Sequence, residues 1–382
     1  MLKPNYKDGS IVNLMSSIML ATGGKPLYEP LQLLDPEELA ASKNIVLMVL
    51  DGLGYEQVIE YGDSTFKKFL RGKMTAVFPP TTAASVTTFL TGVAPQQHAF
   101  TGWYIYFKEL GIVTVPLMFV TKKGKVPLWL TGLKMRDLFK QKTVFEKIKS
   151  ESYVIMPAEL ANSEYTRATT IGAKVLPYAG INGLFRQTTK AVRSKGKKLV
   201  YAYWPGFDAS CHEFGCRSKK TTRHFKELNK RLKKFLTSLK GTNTTVIITA
   251  DHGLIDTAKS RRVFLNKHPK LMETLVMPLS GDSRAAYCYV RPDKTKQFEK
   301  YVRTKLKKYF WLFKSKDLVK RGLFGTFGPN QRLFERIGDY TLIAKSNYTI
   351  KDSPPWEDHF LIGTHSGLTE RELFVPLIVV KC

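Results

Sequence analysis

Three short runs of uninterrupted apolar residues constrain this chain more than anything else in it. Asn44-Ile45-Val46-Leu47-Met48-Val49-Leu50, Lys198-Leu199-Val200-Tyr201-Ala202-Tyr203-Trp204 and Thr244-Thr245-Val246-Ile247-Ile248-Thr249-Ala250 show no apolar/polar alternation. Each therefore reads as a strand buried on both faces, the pattern of a parallel sheet covered by helices. Helical spacing at Glu56 to Tyr61, Ala83 to Leu90, Lys140 to Lys149 and Thr221 to Leu239 predicts an α/β fold, a three-layer α/β/α sandwich with a mostly parallel central sheet. Strands at Tyr340 to Ala344 and Leu373 to Val380 are expected to continue the sheet. Gly111 to Val115 and Ala285 to Val290 are expected to join it or to form side hairpins. No repeat, linker or composition break divides the 382 residues, so the reading is one domain, 1–382, with small cap elements within 104–190 and 260–335.

The chain carries 60 Lys and Arg against 32 Asp and Glu, a net charge of +28. Its 43% hydrophobic and 12% aromatic content is nonetheless ordinary for a globular protein and excludes disordered and collagen-like classes. The positive balance makes nucleic acid, an anionic membrane or a phosphorylated small molecule the partners to test. No zinc-finger or helix-turn-helix pattern supports sequence-specific nucleic-acid recognition, and no G-x4-G-K-[ST] loop supports a nucleotide-driven motor or kinase. Cys211, Cys216, Cys288 and Cys382 are too few and too scattered for a disulfide framework and read as free thiols in a reducing compartment. Ile11 to Ala21 suits an amphipathic helix better than a signal core, because Asn13, Ser16 and Ser17 interrupt it. No stretch approaches the roughly 18 apolar residues of a membrane span. The expected location is cytoplasmic.

In a chain short of carboxylates, each buried run is followed by one. Asp51 and Asp251 follow directly, and Asp208 comes four residues after Trp204. Ligand sites of open α/β sheets form beyond the carboxyl ends of the strands. A lone aspartate there is more often a helix cap, and a lone histidine more often a satisfied core or surface residue; their joint occurrence points elsewhere. Asp208 and His212 share one face if 207–214 is helical. His252 adjoins Asp251, with Gly253 allowing a tight turn, and His365 sits in Gly363-Thr364-His365-Ser366-Gly367. Carboxylate with imidazole suits zinc or manganese better than calcium. The fourth element, Phe78-Pro79-Pro80-Thr81-Thr82-Ala83-Ala84-Ser85, puts Thr81 or Thr82 at a helix N-terminus, where free N–H groups favour a phosphate. A threonine hydroxyl beside a divalent metal there can act as a nucleophile.

Together, Val49-Leu50-Asp51-Gly52-Leu53-Gly54, Thr81-Thr82-Ala83-Ala84-Ser85 through Thr91-Gly92, Asp208 to His212, Asp251-His252-Gly253 and Thr364-His365-Ser366-Gly367-Leu368 resemble the alkaline phosphatase superfamily, and within it the type I phosphodiesterase and nucleotide pyrophosphatase branch. The motifs keep that family's order and span nearly the whole chain. The resemblance implies an alkaline phosphatase-like fold and two divalent metal ions, zinc as a rule, with manganese or iron able to use the same ligands. Asp208, His212 and His365 match the ligands of one ion. Asp51, Asp251 and His252 match those of the other, with Thr82 as the metal-bound nucleophile. The implied activity is a phosphodiesterase or nucleotide pyrophosphatase working through a phosphothreonine on a phosphate-ester substrate, a nucleotide among the candidates. The alternatives are a phosphomonoesterase on the same scaffold and, from a different class, a basic nucleic-acid or anionic-membrane binding protein.

Two departures bear on substrate. Nucleotide pyrophosphatases of this branch usually carry an asparagine about twenty residues after the nucleophile, where this sequence has Trp103. Trp103, Tyr104 and Tyr106 are instead candidates to line an apolar leaving-group pocket. The Cys/Ser-x-Pro/Ala-x-Arg motif of sulfatases is absent around Thr82.

Overall fold

The computed structural model describes residues 1–352 and 361–382. Its central sheet has seven strands, β1 (Asn44–Leu50), β2 (Leu70–Thr75), β3 (Glu151–Pro157), β4 (Lys174–Tyr178), β5 (Lys198–Trp204), β6 (Thr244–Thr249) and β7 (Phe374–Lys381), in the order β2-β7-β6-β1-β5-β3-β4. From β6 to β4 all pairs are parallel, and β7 runs antiparallel to both of its neighbours. The fold is the α/β sandwich expected. Every residue of β1 is buried, as is every residue of β6, which is why neither shows alternation.

Register is what builds the site. Leu50 pairs with Trp204, and Val49 with both Tyr203 and Thr249, so β1, β5 and β6 end level with one another. Asp51, Asp208 and Asp251 are thereby delivered to the carboxyl ends of the sheet's central strands.

Six helices matter here: α1 (Ile11–Ala21), α2 (Thr82–Thr91), α3 (Gly180–Arg193), α4 (Gly206–Phe214), α5 (Lys219–Ser238) and α6 (Glu370–Leu373). The α3 helix packs on β1, β3 and β5 and against α5, while α1 packs on α2. The α1 helix is not amphipathic as its spacing suggested: of its eleven residues only Leu20 is exposed. Its polar residues are satisfied inside. Ser17 Oγ donates to Leu34 O at 2.7 Å and accepts from Leu31 N–H at 2.9 Å, and Asn13 Nδ2 donates to Lys7 O and Glu29 O, each at 2.9 Å.

Two other expectations are corrected. Residues 140–149 form no helix. Val144 N–H donates to Leu90 O at 2.8 Å and Lys149 N–H to Thr22 O at 3.0 Å, while the Glu146 carboxylate accepts from Thr143 N–H at 2.8 Å, so long-range and side-chain partners replace the i−4 ladder. Tyr340–Ala344 leaves the central sheet for a four-stranded antiparallel one with Ser280–Gly281, Ala285–Cys288 and Phe310–Lys314. That sheet has its own apolar cluster, which includes Leu271, Phe298, Val302 and Leu342. A three-stranded antiparallel sheet, Ile105–Phe107, Ile112–Val115 and Val120–Thr121, is joined to it where Tyr104 N–H donates to Gly281 O at 3.0 Å and Gly281 N–H to Tyr104 O at 2.6 Å.

Candidate active site

Thr82 opens α2, with Thr81 as the N-cap residue. The first N–H groups of a helix lack intrahelical partners, so the Thr82 hydroxyl lies at a ready anion site. Its Oγ is 3.3 Å from His252 Nε2. The same nitrogen lies 3.4 Å from Asp51 Oδ1 and 3.4 Å from Asp251 Oδ2. Ligand atoms of Asp51, Asp251 and His252 fall within 4.8 Å of one another, and so do those of Asp208, His252 and His365. The two triads meet at His252, whose ring stacks on His365 with centroids 3.9 Å apart.

His212, expected in the second set, pairs with Asp208 Oδ2 at 3.0 Å, and its Nδ1 faces Gly363 O at 2.7 Å. That carbonyl fixes the ring so that Nε2 points into the site. Burial disfavours the His212 cation, but the Asp208 carboxylate outweighs it and lifts the imidazole to about 9. Burial also works against the Asp208 charge, yet His212 and then His365 hold that carboxyl below its ordinary value. Asp51 goes the other way, raised by burial and by Asp251 and Asp208. His365 is lowered by burial and by His252.

The carboxylates test whether these residues suit cations. Asp51 Oδ1, Asp208 Oδ1 and Asp251 Oδ2 are buried and find no hydrogen-bond partner among the described residues. Protein interiors leave few polar atoms so, and three buried carboxylate oxygens without partners, converging on imidazole nitrogens, form a donor set that fits divalent cations.

Four residues here are not among the site residues expected from the sequence. Tyr203 donates its hydroxyl to Asp51 Oδ2, orienting that carboxylate. Asp282 stands half-buried in the cavity wall, accepting from Trp103 N–H at 3.1 Å and from the Thr81 hydroxyl at 3.4 Å, and its desolvation pushes it up to about 6. Arg284 and Glu372 form a fully buried ion pair, Nε to Oε1 at 2.5 Å. The Glu372 carboxylate also accepts from Gly367 N–H at 2.6 Å, while its backbone carbonyl accepts from Gly253 N–H at 2.9 Å. The pair thus ties the His365 loop to the His252 loop. Gly253 is required in that turn: a Cβ there would come 2.0 Å from Arg371 O. The one sequence trace of this device is the Thr369-x-x-Glu372 capping pattern, which says nothing of Arg284.

A cavity of about 380 Å³ opens onto these groups, lined among others by Thr82, Trp103, Tyr104, Lys122, Asp208, His212, Asp282 and His365. Trp103 and Tyr104 line it. Tyr106 is not part of the lining; its ring packs on Tyr289 with centroids 5.1 Å apart.

Residues 45–368 match the sequence family described as type I phosphodiesterase/nucleotide pyrophosphatase. The chain belongs to that family. With membership comes its reaction class, metal-dependent hydrolysis of phosphoric esters. No curated protein sequence matches the chain. Among solved structures, murine ectonucleotide pyrophosphatase/phosphodiesterase 5, an inactive variant in complex with AMP, superposes with a TM-score of 0.67 at 15% identity, covering 87% of each chain. Phosphonoacetate hydrolase from Sinorhizobium meliloti in complex with phosphonoformate gives a TM-score of 0.62 at 17% identity, covering 89% of this chain and 90% of that one. Both likenesses bear on the fold, an alkaline phosphatase-like sandwich. Among the described residues no helix is long and apolar enough to cross a membrane.

Proposed function

We propose that the protein is a two-metal phosphodiesterase or nucleotide pyrophosphatase that acts through a phosphothreonine on Thr82. The observation that carries the reading is the convergence on His252 of the Thr82 hydroxyl and two buried carboxylate oxygens without hydrogen-bond partners, those of Asp51 and Asp251, with the Asp208 carboxylate grouped with the same histidine and His365. Asp208, His212 and His365 would hold one cation, and Asp51, Asp251, His252 and Thr82 the other; their mixed N and O donors suit zinc, with manganese or iron as substitutes. Such cations supply Lewis acidity that activates a hydroxyl and neutralises phosphoryl charge.

The chain's own part is positioning. Thr82 Oγ attacks phosphorus in line with the leaving ester oxygen, so the new P–O bond forms as the ester bond breaks. Water then cleaves the phosphothreonine and restores the hydroxyl. The first turn of α2 presents N–H groups to the phosphoryl oxygens throughout. Trp103 and Tyr104 offer apolar faces to the leaving group from the cavity wall.

A second reading, a phosphomonoesterase on the same scaffold, is favoured by Trp103 standing where nucleotide pyrophosphatases usually carry asparagine. Turnover of bis(p-nitrophenyl) phosphate against p-nitrophenyl phosphate separates the two. Faster diester hydrolysis is expected, and a clear monoester preference would select the second. The four cysteines are free, which supports a reducing compartment such as the cytoplasm.

A further inference from the structure

Beside the cavity, the three-stranded sheet ends in a hairpin that is cationic at its tip and carries exposed apolar residues toward its base. Thr121 N–H donates to Val126 O and Leu128 N–H to Phe119 O, each at 2.9 Å, so the chain doubles back through Lys122–Lys125. Phe119 and Leu128 turn inward and are buried. Their neighbours face water: Met118 is 55%, Val126 51%, Trp129 56% and Leu130 63% exposed. Between Met118 and Lys142 the sequence has seven Lys and Arg and one carboxylate, Asp137. Lys123, Lys125, Lys134, Arg136, Lys140 and Lys142 are exposed. Lys122 is not part of this free charge: it pairs with Asp352 at 2.7 Å and lies over the Tyr104 ring, holding the hairpin at the mouth of the cavity.

Exposed large apolar side chains that gather in one place mark an interaction surface. The composition of this one selects the partner. A nucleic-acid backbone would engage the cations and leave Met118 and Leu130 in water. An anionic bilayer satisfies both: lysine and arginine meet headgroup phosphates, tryptophan sits at the interface, and leucine and methionine enter the acyl boundary. We propose that the 118–130 hairpin docks this protein on an anionic lipid surface. The proposal stands apart from the catalytic reading, since among the hairpin's residues only Lys122 lines the cavity, and Met118, Lys123, Val126, Trp129 and Leu130, which would meet the lipid, do not.

The test is co-sedimentation of the full chain with vesicles of phosphatidylcholine alone and of equimolar phosphatidylcholine and phosphatidylglycerol. Binding to the second and not the first is expected, weakening as salt rises. Trp129→Ser with Leu130→Ser should lower affinity for the anionic vesicles about tenfold or more, and Lys123→Glu should also weaken it. Turnover of a soluble ester by each variant should equal that of the wild type, which reports an intact fold. Equal binding to both vesicles, no binding, or variants that bind as well as wild type would overturn the proposal. So would a wild-type dimer that dissociates on Trp129→Ser with Leu130→Ser and ignores vesicles, because a second copy would then own this face.

Discussion

At the scale of single residues, Thr82 and Thr81 show what position does to one chemical group. Both are buried threonines at the start of α2, yet Thr82 faces His252 and Thr81 faces Asp282. Thr82→Ala should lower kcat by at least about 10³-fold while leaving the thermal midpoint within a few degrees. Thr82→Ser, which keeps the oxygen, should retain a measurable part of the rate. Steady-state kinetics with a denaturation scan checks both; a Thr82→Ala enzyme with near-wild-type turnover would remove the nucleophile. Asp51, Asp208, Asp251, His252 and His365 were legible in sequence because each follows a recognisable run or glycine turn. Tyr203 and Asp282 were not. Tyr203 sits inside an apolar strand, where its hydroxyl looks like any buried phenol, and Asp282 comes from a turn of the separate four-stranded sheet, so nothing local announces where it points.

At the scale of elements, the loops are held by buried polar groups rather than by propensity. The Arg284 guanidinium also donates to Tyr348 O at 2.6 Å and Ser346 O at 2.7 Å, so one side chain joins three segments. Arg284→Met would strand the Glu372 charge and should cost about 3–5 kcal/mol in denaturant titration. Adding Glu372→Leu should recover much of that loss, because the unpaired charge goes with it. His98 carries the pH dependence of the turn after α2. It accepts from Phe100 N–H at 3.0 Å on Nδ1 and faces the Thr88 hydroxyl with Nε2 at 3.1 Å. Burial, then Arg336, lowers it from 6.5 to about 3. Between those values the unfolded chain binds the proton and the native one does not, so stability falls as pH drops, by up to about 1.4 kcal/mol per unit. Replacing His98 with Asn should flatten the slope of unfolding free energy between pH 6.5 and 4; an unchanged slope would assign acid sensitivity elsewhere. The sequence disclosed elements whose burial is uniform, such as β1 and β6. It was silent on β2 and β4, whose mixed exposure follows from their place at the sheet's edges, and on β3, which is buried after its first residue but opens on the polar Glu151 and Ser152; it misread 140–149 because helical spacing cannot reveal that Leu90 and Thr22 supply the partners.

At the scale of the whole molecule, the +28 charge is unevenly spread. Residues 165–250 hold eighteen Lys and Arg against three Asp and Glu, +15 of the total, much of it on the exposed faces of α3 and α5. A positive field of this size should draw phosphate esters toward the carboxylate pocket, so raising ionic strength should lower kcat/KM and leave kcat nearly unchanged. Stopped-flow or steady-state assays across a salt series would detect it, and a flat kcat/KM would free the charge from any catalytic role. Inside that basic shell the clustered Asp51, Asp208 and Asp251 make sense as holders of cations. The most direct test is elemental analysis of the purified chain beside its Asp51→Asn and Asp251→Asn variants. The account predicts about two equivalents of divalent metal per wild-type chain, with at least one lost in each variant while the fold persists. Metal content that neither substitution changes would contradict it.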